Sequence, residues 1–445
     1  MRPIIHYRPE KNWINDPNGL CQIDGWVHLF YQYNPHGCVW GDMHWGHARS
    51  KDMYQWDSLP IAMTPDEANG EIHCFSGSCC KDAEGKPHFF YTSIGRDEDG
   101  RDCVNGAQQW HAEPADDDLT KLTQTGEGAL LDEIHRGKHV RDWRDPCVIP
   151  YEGMYLMVLG GCLEGRGCIL LYTSENMRNW TYRHVLLQAE KADNVPWECP
   201  NLLMLNGKAV VFWSPCAAVR YAVGTFDDGL NFRTERIGLL DPAGRQGYYA
   251  PQAFRDEQGR TILMGWMPEC DGDAAAVRRG WSGVMSLPRL LSIKRGNLCA
   301  EPLPGWRTMV GEGVPVTADE PMEAGRHFIL HGRCRAELEP LSVTMLATTD
   351  GMEQTELTLT TSGMLYLGRI GSSLSGEPNK SAILRKVPLN ESTADFFLCV
   401  DGTALECMVN GQWLSGRVYP TREDAVWLTV QGEDVDLTYY PIKKQ

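Results

Sequence analysis

Three carboxylates in this chain sit in settings suited to nucleophilic or acid–base work. Asp16 lies between Asn15 and Pro17 in WINDPNG (13–19), Asp145 stands between Arg144 and Pro146, and Glu198 precedes Pro200 by two residues. Proline fixes its own φ and biases the residue before it toward extended backbone, while Asn18-Gly19 is a turn pair. Each acid is thus presented from a stiff junction with a tryptophan close before it, at Trp13, Trp143 or Trp197. Hydrolysis of a glycosidic bond needs one carboxylate to attack the anomeric carbon and a second carboxyl to protonate the leaving oxygen. A third acid can stabilise the oxocarbenium charge that develops. Alone, NDPNG would read as an Asx turn on a surface loop; the two partner acids make it a candidate site.

These stretches belong to a longer ordered set. WINDPNG is followed by FYQYNP (30–35), WGDMHWGHARSKDMYQW (40–56), FSGS (75–78), RDP (144–146), ECP (198–200), YAPQ (249–252) and GWM (265–267). The set resembles glycoside hydrolase family 32, the invertase and β-fructosidase family, from the N-terminus past Pro288. The segments at 400–401, 409–410 and 417–420 resemble the domain which that family appends.

The resemblance implies an all-β fold, a five-bladed β-propeller followed by a C-terminal β-sandwich, and a retaining, exo-acting β-fructofuranosidase. Asp16 resembles the nucleophile that forms a fructosyl-enzyme at C2, Glu198 the acid/base, and Asp145 the transition-state stabiliser that grips fructose hydroxyls. Asn15, Gln32, Trp40, Phe75, Ser76, Arg144 and Trp266 fall on positions that line the fructose subsite. No metal and no organic cofactor is implied, because carboxylates and water carry both steps. The roles require Asp16 ionised while Glu198 holds a proton, so the two pKa values should be pushed apart. Arg144 is expected to keep Asp145 charged, and Cys199, lacking a full charge, to leave Glu198 free to rise.

The match loosens in two places. Before Tyr249 the family often carries an acidic, aromatic DYGxDF-like run, where this chain has DPAGRQGY (241–248); leaving-group preference is therefore open. LPRLL (287–291) lacks the glutamate that commonly follows the arginine, which reads as a packing difference between blades. A basic stretch, HRGKHVR (135–141), leads into Arg144 and Asp145. It reads as a contact for a sugar phosphate, as the shaper of a difructoside pocket, or as a solvated loop.

Composition narrows the partners. The 445 residues carry 42 basic and 59 acidic side chains, a net charge of −17, which argues against nucleic acid or an anionic membrane. Met1 runs almost directly into the first motif, with no charged n-region and apolar h-region, so the chain reads as cytoplasmic. Sixteen cysteines are scattered without CxxC spacing and read as reduced, apolar thiols. The expected partner is a small carbohydrate, with the protein a monomer or a homo-oligomer through its C-terminal domain.

The elements that must position the acids are short strands. Runs at 26–31, 88–91, 155–158, 169–172, 209–213 and 261–264 are aromatic or β-branched and bounded by turn residues. An Asp or Asn followed four residues later by a large apolar residue recurs four times, at Asp52/Trp56, Asp118/Leu122, Asn176/Trp180 and Asp228/Phe232. That repeat suits propeller blades, four copies plus the last strands allowing five. The expected domains are 1–300 and 316–445, with a linker at 301–315; runs at 356–360, 396–400 and 425–430 alternate as sandwich strands do. The same scaffold would serve a fructosyltransferase, in which a sugar intercepts the intermediate, or a hydrolase of an unusual difructoside. A non-catalytic fructan-binding propeller would be expected to lose one of the three acids, and a propeller enzyme acting on arabinosides or xylosides would lack this ordered motif set.

Overall fold

The runs chosen by alternation fold as strands. Those at 26–31, 88–91, 155–158, 169–172, 209–213 and 261–264 lie inside Trp26–Asn34, Pro87–Gly95, Met154–Leu163, Arg166–Ser174, Lys208–Ser214 and Thr261–Met267. The computed structural model describes residues 1–96, 107–125, 130–337, 339–374, 382–389 and 393–444. Among these the α-helical content is one short helix, Asp273–Arg279, and no helix is long and apolar enough to cross a membrane.

Up to Pro302 the described strands make five sheets, antiparallel between chain neighbours apart from the two-residue strands Trp281–Ser282 and Val284–Met285. Their first strands are Asn12–Ile23, Glu71–Lys81, Arg141–Tyr151, Glu198–Leu205 and Tyr249–Arg255. These five touch in a closed cycle, each against the next and the fifth back against the first. Asn12 and Trp13 also pair in parallel with Trp281 and Ser282, which tethers the start of the chain beside the fifth sheet.

All five first strands lose register at the same level. Two residues, Asn15-Asp16, Phe75-Ser76, Asp145-Pro146, Cys199-Pro200 and Ala250-Pro251, oppose one on the neighbouring strand, namely Gln32, Thr92, Leu159, Trp213 and Gly265. A bulge of this kind re-aims side chains and leaves a ladder position unpaired, which is where a proline can sit inside a sheet. Asp145, Cys199 and Ala250 take the left-handed backbone there, at φ 66°, 47° and 45°.

The sheets repeat each other in detail. Ser50-Lys51-Asp52-Met53 and Ser174-Glu175-Asn176-Met177 make the same turn, the Asp52 and Asn176 side chains accepting two backbone N–H groups each and Trp56 and Trp180 donating back to the Met carbonyl. In the second and fourth sheets the sequence-based residue is displaced: Asp116 and Asp227 hold the turns, and Asp118 instead pairs with Arg49. The Asp-to-apolar spacing stretches there because the turns are longer. A second repeat joins the first two sheets: His28 bonds His47 while Phe30 stacks on it, and His88 bonds His111 while Phe90 stacks on it.

From Val314 onward two six-stranded antiparallel sheets follow. A buried ionic seam joins them to the first five. The Asp401 carboxylate accepts the backbone N–H groups of Ile4, Ile5 and His6 at 2.8–3.1 Å, together with imidazole nitrogens of His6 and His327. Arg289, the arginine of LPRLL, is fully buried and donates to Asp241, Glu406 and Ser415. The arginine of that motif thus serves the contact between the two parts of the molecule, while Leu290, where the motif departs, pairs with Ile262 and Glu301 inside the fifth sheet.

Candidate active site

The bulges bring the three acids together by putting them in three different positions of one repeated device. Asp16 is the second residue of its bulge, Asp145 the first of its own, and Glu198 the residue just before. Asp16 receives the Ser76 hydroxyl at 2.7 Å, the Asn15 amide at 3.1 Å and the Cys199 thiol at 3.2 Å. Asp145 receives the Cys199 backbone N–H at 2.8 Å and its thiol at 3.5 Å, while its own N–H donates to Thr92 at 2.9 Å. One cysteine therefore stands between two acids that are far apart in sequence.

Glu198 is held from both sides. Arg144 donates to Oε1 at 2.5 Å and, with its other arm, to Asp142 at 3.0 Å. Arg245 donates to Oε2 at 2.9 Å, and the Tyr249 hydroxyl shares that oxygen. Arg144, Glu198 and Tyr249 occupy equivalent positions, each just before its bulge, so this row of contacts follows from the repeat.

The electrostatics run against the expected protonation order. Burial pushes the Asp145 carboxyl up to about 7, more than the Arg144 charge pulls it down. Burial also raises Asp16, against its three hydrogen bonds, with the Glu198 charge adding to the rise. Glu198 goes the other way: burial is outweighed by Arg144, Arg245 and Tyr249, and it lies below its ordinary value. Arg144 spends its closest bond on Glu198 and comes no nearer than 3.9 Å to Asp145. Cys199 faces the two aspartates, so it does not govern Glu198 in the manner expected.

The remaining predicted residues divide into two groups. Asn15, Ser76 and Arg144 bond the acids directly. Gln32 is buried opposite the first bulge, its amide N–H on the Cys74 carbonyl at 2.9 Å. Trp40 is half exposed, at 51%, with its ring 5.5 Å from His73 and 6.2 Å from Phe75, a rim position. Trp266 pairs with Tyr249 across the fifth sheet and packs edge-on to Trp13, and its buried indole N–H has no partner among the described residues. Sequence reasoning missed Thr92, Asp142, Cys216, Arg245 and the role of Tyr249. Tyr249 was in reach, since YAPQ is the fifth copy of the bulge, whereas Arg245 lies where the motif match fails.

The basic stretch does not act as one unit. His135 is buried, with its Nε2 2.5 Å from the Tyr172 hydroxyl and its ring against Trp143, while Arg141 donates to the Asn194 carbonyl. Arg136, Lys138 and His139 are exposed. Among the described residues His88, His111 and Glu113 bring ligand-type atoms within 4.8 Å of one another. His88 and His111 are hydrogen-bonded there as His28 and His47 are in the first sheet, where no acid joins them, so the pair is part of the repeat. All fifteen described cysteines are free.

Known proteins resemble this chain in sequence and fold. Residues 6–302 match the family model described as the glycosyl hydrolases family 32 N-terminal domain. Sucrose-6-phosphate hydrolase of Escherichia coli is 32% identical over 329 residues, covering 68% of this chain and 64% of that protein. Acid beta-fructofuranosidase of Vigna radiata var. radiata is 33% identical over 321 residues, covering 66% of this chain and 48% of that one. The matched segment thus spans between about half and two thirds of these curated relatives. The structure of sucrose-6-phosphate hydrolase from Lactobacillus gasseri has a TM-score of 0.87 at 23% identity, covering 100% of this chain and 93% of that one. Fructan 1-exohydrolase IIa from Cichorium intybus, in complex with 1-kestose, has a TM-score of 0.85 at 22% identity, with 100% and 98% covered. At such identities the structural likeness is one of fold.

Proposed function

Since the chain belongs to glycosyl hydrolase family 32, we propose that it is a retaining β-fructofuranosidase, releasing fructose from sucrose, sucrose 6-phosphate or short fructo-oligosaccharides. The observation that carries this reading is the meeting of Asp16, Asp145 and Glu198 at the bulges of the first, third and fourth sheets, the two aspartates joined through the Cys199 thiol and Glu198 held by Arg144. Asp16 attacks C2 of the fructosyl unit as the C2–O bond breaks, and Glu198 gives its proton to the departing oxygen. Water then displaces Asp16 with Glu198 as base. Asp145 stabilises the charge at the ring and binds fructose hydroxyls. The lone indole N–H of Trp266 and the Gln32 carboxamide supply further contacts to the sugar.

In this reading the five sheets are the blades of a five-bladed propeller spanning 1–300, joined through 301–315 to a β-sandwich at 316–445. The closed cycle of first strands supports the blade count. A retaining mechanism asks for Asp16 and Glu198 carboxyls about 5–5.5 Å apart.

The acids titrate as a coupled set, so the proton they hold near neutrality belongs to the group. Burial favours it on Asp145, whereas reaction requires it on Glu198. The test is fructose release from sucrose, sucrose 6-phosphate, inulin-type and levan-type oligosaccharides, with Glu198→Gln run beside the wild type. The variant is expected to lose about 10²- to 10⁴-fold in kcat/KM. Folded wild-type protein that releases no fructose across the panel would overturn the reading.

A further inference from the structure

Arg245 lies in the short helical turn Gly244–Gln246, just ahead of the fifth sheet. Its Nη2 is 2.9 Å from Glu198 Oε2 and 3.6 Å from the Cys216 sulfur, and its guanidinium lies 5.0 Å from the centre of the Tyr249 ring. The two arginines on Glu198 are not alike. Arg144 is 14% exposed and is tied to Asp142 as well, whereas the Arg245 side chain is 56% exposed. Nε and Nη1 of Arg245 have no hydrogen bond among the described residues. An exposed arginine with one arm on a carboxylate is weakly held, because solvent screens the pair and the long side chain resists fixing. Arg245 is therefore the removable member of the clamp.

Removal has a chemical purpose. Glu198 must carry a proton on an oxygen that reaches the departing sugar, yet Arg245, the Tyr249 hydroxyl and, at 3.5 Å, the Cys216 thiol converge on Oε2. A guanidinium fork matches a phosphate oxygen pair better than a single carboxylate oxygen, and the two free donors are already available for it.

We propose that Arg245 senses the leaving group: it restrains Glu198 until substrate binds and is drawn off it by a phosphate monoester carried on the departing sugar. This rests on the fructosidase reading above. Arg245 is a positioning residue for Glu198 and a recognition residue for the phosphate. A neutral leaving group lacks the means to pull it away, so Arg245 hinders neutral substrates and helps phosphorylated ones.

The experiment measures kcat and KM for sucrose and sucrose 6-phosphate with the wild type, Arg245→Gln and Arg245→Lys, thermal unfolding serving as the fold control. For Arg245→Gln, kcat/KM on sucrose 6-phosphate should fall about 10- to 100-fold, the scale of a lost charge-assisted contact. On sucrose it should rise about threefold to tenfold, mostly in kcat, since one unit of pKa is a tenfold change in protonation. Arg245→Lys keeps the charge without the fork and should regain only part of the phosphate preference. Inorganic phosphate added to wild type with sucrose should not activate; activation to the sucrose 6-phosphate rate would show that the anion need not be on the leaving sugar and would overturn the proposal. Equal losses on both substrates, or no change on either, would overturn it too while leaving the fructosidase reading standing. A wild type that cleaves neither would remove that reading and the proposal together.

Discussion

Cys199 ties the site together at the scale of single residues, its backbone N–H on one aspartate and its thiol on both. Ser76 completes the hold on Asp16 with a part-buried hydroxyl bond of 2.7 Å. Ser76→Ala should therefore lower kcat/KM for the best fructoside about 10- to 100-fold, chiefly in kcat, the range of a hydrogen bond to a charged group. An unchanged kcat in the folded variant would mean that Asp16 is positioned by other groups. The pH profile follows from Asp145: with its carboxyl raised to about 7, the site loses its shared proton as pH rises through that region. Below it one proton is available for transfer to Glu198, and above it none is, so kcat/KM should fall on the alkaline side of about 7. Activity still rising above pH 8 would contradict this assignment. That the three acids meet was legible from the ordered motifs that carry them, since NDPNG alone reads as a surface turn. Their protonation order was not, because it depends on which carboxylate Arg144 and Arg245 reach, and that is decided by the fold.

The bulge is the element that converts five ordinary strands into a site. It demands small or open backbone beneath it, and Gly77 shows how tightly: a Cβ there would come 1.9 Å from the Phe90 carbonyl oxygen, a backbone atom that cannot swing aside. Gly77→Ala should cost about 3 kcal/mol in denaturant unfolding and impair activity through the neighbouring Ser76. Wild-type stability in that variant would mean that the second sheet accommodates the methyl group by a shift of the strand. Sequence carried more of this repeat than the Asp-to-apolar spacing revealed. His28-Leu29-Phe30-Tyr31 and His88-Phe89-Phe90-Tyr91 are a plain internal echo, each followed by a partner histidine on the next strand. The bulge itself was legible only in part: RDP, ECP and YAP share a proline at its second position, whereas IND (14–16) and CFS (74–76) do not.

At the scale of the molecule, the buried seam fixes the C-terminal sheets against the N-terminal segment and the fourth and fifth sheets. Burial pushes the His6 imidazole down, yet Asp401 and Glu406 outweigh it and raise it to about 9 from an ordinary 6.5. A raised histidine contributes stability that is complete below its unfolded value and lost as pH climbs through the folded one. Wild-type Tm should accordingly decline between about pH 6.5 and 9, and His6→Gln should flatten that decline. Asp401→Asn leaves backbone donors and two histidines facing an amide, and should cost about 3–5 kcal/mol, as breaking a buried ion pair does. None of this seam could be read from sequence, since its partners are separated by as many as 397 positions. The central claim concerns Asp16, and the most direct test is to quench the wild type with acid during turnover of its best fructoside and map the covalent adduct by peptide mass spectrometry. One fructosyl unit on the peptide bearing Asp16, absent from Asp16→Asn, is the result expected. Fructose release with the fructosyl unit on another carboxylate, or undiminished turnover by Asp16→Asn, would contradict the account.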